Sequence, residues 1–277
     1  MNCHVAPVDR LSDAAPRGTI TVRVYQAAPT ERFRIRSATE EFSVAPQGVG
    51  IHTLELLVDV VDDLDVPIAN RTITLTRDGI EQSGGHVHGG QMPNGSLSTT
   101  VNTGDGGVAT VVYTADVFGG KVELRGASPG AAAAVETVTV AVADLQELAA
   151  SQSLGRIGVR AEHPGSHFGT AAMVTALRTV ADSFHERFAR QLEVNDISLP
   201  LGGKFDLNAA YGSGGKHTAH REGRSADVRT HGESPLSARQ KDFVYDLWER
   251  LGGTVHDETI LENGQPNTES PHYHFRF

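Results

Sequence analysis

Cysteine is almost absent from this chain: one residue, Cys3, among 277. A disulfide framework and a cysteine-rich zinc finger are therefore both excluded, and any metal must be held by histidine and carboxylate. Long apolar runs are also missing. The longest, Ala131 to Ala143, is broken by Glu136 and by threonines, well short of the roughly 20 residues that cross a bilayer, so no transmembrane segment is expected. Positive charge is the third shortage, with 24 Lys and Arg against 34 Asp and Glu and a net charge of −10. Phosphate-backbone affinity comes from clustered Lys and Arg, so nucleic acid is not an expected partner. Residues 1–10 lack a basic region followed by an apolar run, which argues against a secretory signal in the chain as given. Two locations stay open at this point: the cytoplasm or, if the chain begins after its targeting segment, the periplasm or the cell exterior. At 39% apolar and 21% charged the composition is that of a globular protein, and the length suits two domains.

Residues 1–17 read as a flexible tail. From Gly18 to Asp144 the pattern is strand after strand: Thr19–Val24, Thr53–Val58, Thr72–Thr76, Val108–Tyr113 and Val135–Val142 alternate with period two. Such Val-, Ile- and Thr-rich runs, split by turn clusters such as Gly104-Asp105-Gly106-Gly107, predict an antiparallel all-β sandwich. Residues 145–157 read as a linker. From 158 to 277 the reading is α+β. Thr170 caps a helix whose apolar stripe runs through Met173, Val174, Leu177, Val180, Ala181, Phe184 and Phe188. A second helix is predicted from Ser234 as N-cap and Pro235 as first residue to the stop at Gly252-Gly253. Val194–Leu199, Ser225–Arg229 and His272–Phe277 read as short strands.

Histidine is what the chain has in quantity, 13 in all, nine of them from position 163 onward. Two groups are tight: Lys216 to Asp227, which holds His217 and His220, and Glu269-Ser270-Pro271-His272-Tyr273-His274. His220 and Asp227 are seven residues apart, about 10.5 Å along a helix or about 23 Å and opposite faces along a strand. A turn at Gly223 is needed to bring both to one ion. On a strand, His272 and His274 share a face about 7 Å apart. Three His or Asp ligands with a fourth position left for water describe a catalytic zinc site.

His-x-x-His-x-x-Gly-x-x-x-Asp at 217–227, followed by Glu-x-x-His-x-His at 269–274, resembles the zinc peptidase group of D-Ala-D-Ala peptidases, murein endopeptidases and the hedgehog signalling domain. The first motif is most similar to the penicillin-insensitive murein endopeptidases, as is the segment Asp196 to Asp206 that leads into it. The resemblance covers about 158–277 and implies a small antiparallel sheet with flanking helices. It implies one Zn2+ ion on His220, Asp227 and His274, with His272 beside the metal-bound water. The Glu-x-x-His form of the motif would instead make His272 the ligand and Glu269 the base; the His-x-His form, with His274 as ligand, is favoured. The implied activity is hydrolysis of peptide bonds in peptidoglycan stem peptides or cross-links, outside the cytoplasm. The alternative is a non-catalytic zinc-containing protein that binds the cell wall or a surface.

Arg221, Arg224 and Lys216 are candidates to receive a substrate carboxylate, and His217 either touches substrate or sits in a Gly-rich loop. Glu162 to His167 reads as a loop wall or as helix-entry chemistry. His86-Val87-His88, between glycine pairs, reads as a loop with metal-binding capacity. Gly106 to Ala115 resembles a strand of bacterial immunoglobulin-like adhesin modules, which implies an Ig-like domain that positions the peptidase on a wall polymer or surface partner.

Overall fold

The computed structural model describes residues 31–80, 90, 92, 96–158, 165–204, 218–232, 234–260, 263–268 and 271–277. The expected tail, the strand at Thr19–Val24, the His86/His88 loop, residues 162–164, His217 and Glu269 lie outside them.

The first half is made of β1 (Arg32–Ser37), β2 (Ser43–Val44), β3 (Thr53–Val61), β4 (Thr72–Ile80), β5 (Ser98–Asn102), β6 (Val108–Thr114), β7 (Gly120–Ala127) and β8 (Ala134–Val140). They form two sheets, β1-β3-β6 and β2-β8-β7-β4-β5. Alternation decides which side chains go inward. Leu54, Leu56, Val58 and Val60 of β3 meet Ile73 and Leu75 of β4 and Val122 and Leu124 of β7 in one buried cluster. Each such side chain contributes about 1.5–3 kcal/mol by leaving water.

The second half contains β9 (Gln146–Glu147), β10 (Leu154–Arg156), β11 (Phe168–Gly169), α1 (Ala171–Phe188), β12 (Leu192–Asp196), α2 (Thr218–Arg221), β13 (Ser225–Arg229), α3 (Ala238–Arg250), β14 (Thr254–Asp257) and β15 (His272–Arg276). Its main sheet runs β10-β12-β13-β15-β14, and β9 pairs with β11. One face packs on helix: Val194, Ala226, Val228, Tyr273 and Phe275 join Met173, Leu177, Val180 and Phe184 of α1 and Val244 and Trp248 of α3. Trp248 stacks on Phe275 at 4.4 Å between ring centroids, and its indole N–H donates to the carbonyls of Thr254 and Arg276.

The fold class expected from the sequence, a small antiparallel sheet with flanking helices after an Ig-like sandwich, is overturned. Strand exceeds helix more than two to one among the described residues, spread over four sheets. The main second-half sheet has five strands and is mixed, because β10 runs parallel to β12. Helix lies against one face and the opposite face is polar. The segment 145–157, expected as a linker, supplies β9 and β10 and places Leu148 and Leu154 in the second core. Three-residue strands have too little periodicity to announce themselves, and they exist here because a partner strand supplies their hydrogen bonds.

The start of α3 also differs. Ser237 is the N-cap, its hydroxyl accepting from the Gln240 backbone while the Gln240 side chain accepts from the Ser237 backbone. This reciprocal capping box outcompetes Ser234-Pro235. There the carbonyls of Ser234 and Pro235 instead accept from the Arg190 guanidinium.

Candidate metal centre

Strand register builds the polar face rung by rung. On β13 and β15, Asp227 faces His274 and Arg229 faces His272. On β14, His256 faces His274, and across a bulge in β12, Asp196 faces Asp227. Directly opposed residues share a face, as do residues two apart on one strand. Asp196, Asp227, Arg229, His256, His272 and His274 therefore all sit on the side away from the helices.

His220 arrives from α2. The chain reverses at Gly223, whose φ of +68° is left-handed and whose N–H donates to the His220 carbonyl. A Cβ there would lie 2.5 Å from Leu145 Cδ2, so both backbone and space demand glycine. The turn sets His220 over the Asp227–His274 rung.

The structure brings His220, Asp227 and His274 together and buries all three, at 1%, 6% and 6% exposure. His220 Nε2 is 3.3 Å from Asp227 Oδ1 and 3.3 Å from His274 Nδ1, and His274 Nδ1 is 2.9 Å from Asp227 Oδ1. Donors placed tetrahedrally at 2.0–2.1 Å from one zinc ion are roughly 3.3 Å apart, so this triangle matches one face of such a site. The tautomer fits as well. His220 Nδ1 lies 2.7 Å from the Ile197 carbonyl, which only accepts, so Nδ1 carries the hydrogen and Nε2 is left to face the other donors. Asp196 Oδ1 stands 3.3 Å from the same Nδ1. The residues present fit a zinc ion.

Without a metal, protons must hold this cluster together. Burial alone would lower the pKa of His220, but the Asp227 carboxylate outweighs it and raises the imidazole to about 9. Burial pushes the Asp227 pKa up, and His220, His274 and His272 together bring it below the usual carboxylate range.

His272 stands at the edge of the triangle. Its Nε2 is 3.4 Å from Asp227 Oδ2 and 3.3 Å from Glu258 Oε2. Glu258, His272 and His274 bring one donor atom each within 4.8 Å of one another. Two other expected residues are not drawn in. Arg224 donates to the Phe277 carbonyl and is exposed, and Arg221 has a buried Nε with no hydrogen-bond partner among the described residues. His167 is a buried core residue whose Nε2 donates to the Val194 carbonyl; burial lowers its pKa.

Sequence reasoning missed Glu258, His256 and Arg229, and it quoted Asp196 only as part of a motif. The local signal for the first two was too weak: after the glycine pair at 252–253 only Val255 of residues 254–258 is apolar, and His256, Asp257 and Glu258 are three polar residues in a row.

No family model and no curated protein matches the chain. Among solved structures it is similar to the adhesin InvE of Yersinia pseudotuberculosis, with a TM-score of 0.34 and 16% identity over 42% of this chain and 33% of that one. A β-glucuronidase of Parabacteroides merdae gives 0.27 and 16% over 39% and 12%. A DUF4466 family protein from Parabacteroides merdae gives 0.25 and 9% over 78% and 82%. This chain thus covers less than two thirds of the first structures it matches, and at these scores the likenesses carry no argument about fold or function.

Proposed function

We propose that the protein is a zinc-dependent peptidase that hydrolyses amide bonds, with peptidoglycan stem peptides or cross-links as its substrate class. The observation that carries the reading is the buried His220–Asp227–His274 triangle, whose spacing and tautomer suit one zinc ion. Support for the substrate class comes from the motif resemblance at 217–227 and 269–274. Peptidoglycan as substrate would place the protein in the periplasm or outside the cell.

His220 Nε2, Asp227 Oδ1 and His274 Nδ1 would hold the metal, and the Ile197 carbonyl fixes the His220 ring. Zinc held there would supply Lewis acidity, acidifying a water towards neutrality and polarising a scissile carbonyl. His272, beside the triangle but outside it, is the side chain that exchanges the proton between water and leaving amine.

The test is metal analysis paired with release of amine groups from purified peptidoglycan. Wild type is expected to carry zinc and to hydrolyse, and His220→Ala to lose both. His272→Ala is expected to keep the zinc at the triangle while kcat falls by roughly 10²–10⁴-fold, the usual share of acid–base catalysis. Zinc without hydrolysis in wild type would favour a non-catalytic wall-binding protein; a wild type that takes up no zinc would end the reading.

A further inference from the structure

The pairing of β14 with β15 brings a second set of metal donors to the edge of the triangle. Glu258 Oε2 is 3.3 Å from His272 Nε2, and Glu258, His272 and His274 each place one donor atom within 4.8 Å of the other two. Charge-assisted hydrogen bonds from nitrogen to oxygen run at about 2.7–2.9 Å, whereas two ligands of one tetrahedral zinc ion lie roughly 3.3 Å apart. The Glu258–His272 spacing matches the second. Backbone fixes it: the Glu258 N–H donates to the His272 carbonyl (3.0 Å), the Glu258 carbonyl accepts from Asn267 Nδ2 (2.8 Å), and the Asp257↔Tyr273 register sets Glu258 opposite His272 on the polar face. His272 and His274 are buried, while the Glu258 side chain is 32% exposed, so this set opens to solvent on the Glu258 side. Asp227 touches both sets, its Oδ1 within the triangle and its Oδ2 3.4 Å from His272 Nε2.

We propose that Glu258 Oε2 and His272 Nε2, with the His274 ring beside them, form a second divalent-cation site, and that an ion held there inhibits the first. A carboxylate with imidazoles suits zinc and its transition-metal neighbours rather than magnesium or calcium, which take oxygen ligands. His274 already faces the triangle through Nδ1, so the second position rests chiefly on Glu258 and His272, with water completing the shell. It also lies close to the charge of an ion in the triangle. Both effects make it the weaker site, filled only when zinc is in excess, although the Asp227 carboxylate offsets part of the repulsion between the two ions. The inhibitory part rests on the peptidase reading, in which His272 works beside the triangle. An ion on Nε2 occupies that nitrogen and the space in front of it, so water and substrate no longer reach the ring. Glu258, which neither sequence motif contains, thereby makes the site sensitive to free zinc.

Calorimetric titration of the metal-depleted full chain with zinc tests the site, with hydrolysis of purified peptidoglycan followed over the same zinc range. Wild type is expected to bind two ions, one tightly and one more weakly, and its hydrolysis to rise with the first and fall with the second. Glu258→Gln removes the carboxylate charge at nearly constant size. It is expected to keep the tight ion, which also reports that the variant is folded. Its second ion is expected to bind roughly 10–100-fold more weakly, at least the loss caused by disturbing the outer support of a metal site, with the inhibitory zinc concentration raised to match. A wild type that binds one ion at every zinc concentration overturns the proposal and leaves the peptidase reading standing. A second ion that Glu258→Gln holds at wild-type affinity also overturns it, because that ion sits elsewhere. Loss of the tight ion in Glu258→Gln does the same, since Glu258 is then a ligand of the first ion. Two ions, the weaker dependent on Glu258, without hydrolysis at any zinc concentration support the site and remove its inhibitory role together with the peptidase reading. A wild type that takes up no zinc ends both.

Discussion

Two buried imidazoles and a carboxylate with donor atoms 2.9–3.3 Å apart require either a cation or shared protons between them. The proton-held form has a definite pH dependence. His220 rises from 6.5 to about 9 in the metal-free fold, so its contribution to stability is fully present below pH 6.5 and is lost as pH rises through about 9. The depressed Asp227 expresses the same attraction from the acid side: its contribution is present above the ordinary carboxylate pKa and is lost only as pH falls through its lowered folded value. The two describe one interaction and count once. His167, held neutral by burial, has a lowered pKa, so it contributes above pH 6.5 and loses its share only as pH drops below that. Metal-free protein is therefore expected to lose stability between pH 6.5 and 9.5, and zinc-loaded protein to be flat over that range, because a bound ion takes the place of the proton. Urea unfolding midpoints of both forms at three pH values check this. A flat metal-free curve would mean that His220 is not protonated beside Asp227.

At the scale of single elements, what was legible in the sequence follows from the length of each periodic run. The stripe Met173–Phe184 gives α1 because 18 residues repeat the helical period over one buried face, and Thr170 caps it through the Met173 N–H. β13 and β15 were legible because polar and apolar residues alternate over five positions each. β14 was not: four residues, only one facing the core, follow a glycine pair that reads as a stop. With it Glu258 and His256 escaped notice, since their nearness to His272 and His274 exists only through pairing across the sheet. The start of α3 misled because two capping signals lie three residues apart and local pattern cannot rank them. The structure does, and Ser237→Ala is expected to cost about 1 kcal/mol, the usual value of an N-cap hydroxyl. Ser234→Ala should cost nearly nothing, because Ser234 is used through its backbone carbonyl. Equilibrium denaturation of the two variants side by side settles which serine begins the helix; equal losses would contradict the assignment.

Over the whole molecule, pairings distant in sequence outweigh local patterns, and this is why the chain is more β than its motifs suggested. The two halves meet through such a pairing. Phe118 bridges Gly203, Lys204 N–H donates to the Val117 carbonyl (2.8 Å), and Val142 N–H donates to the Leu201 carbonyl (2.9 Å). The same short stretch steadies the candidate metal centre, because Gly203 N–H donates to the carbonyl of Arg221 (2.9 Å), the last residue of α2, which carries His220. A side chain at Gly119 has no room: its Cβ would lie 2.6 Å from the Gly202 carbonyl oxygen and 2.7 Å from that of Leu201. Backbone cannot rotate out of the way as a side chain does, so residues 201–204 must shift, and α2 must follow. Gly119→Val, in the half of the chain that holds none of the proposed ligands, is therefore expected to weaken the proposed zinc binding by roughly 10–100-fold, the loss typical when a support of the ligand shell is disturbed. Competition against a chelator of known affinity measures it. Val135→Ala, an exposed change in the same half, should leave zinc affinity unchanged. Equal affinities for Gly119→Val and wild type would show that the turn bearing His220 is held without help from the first half.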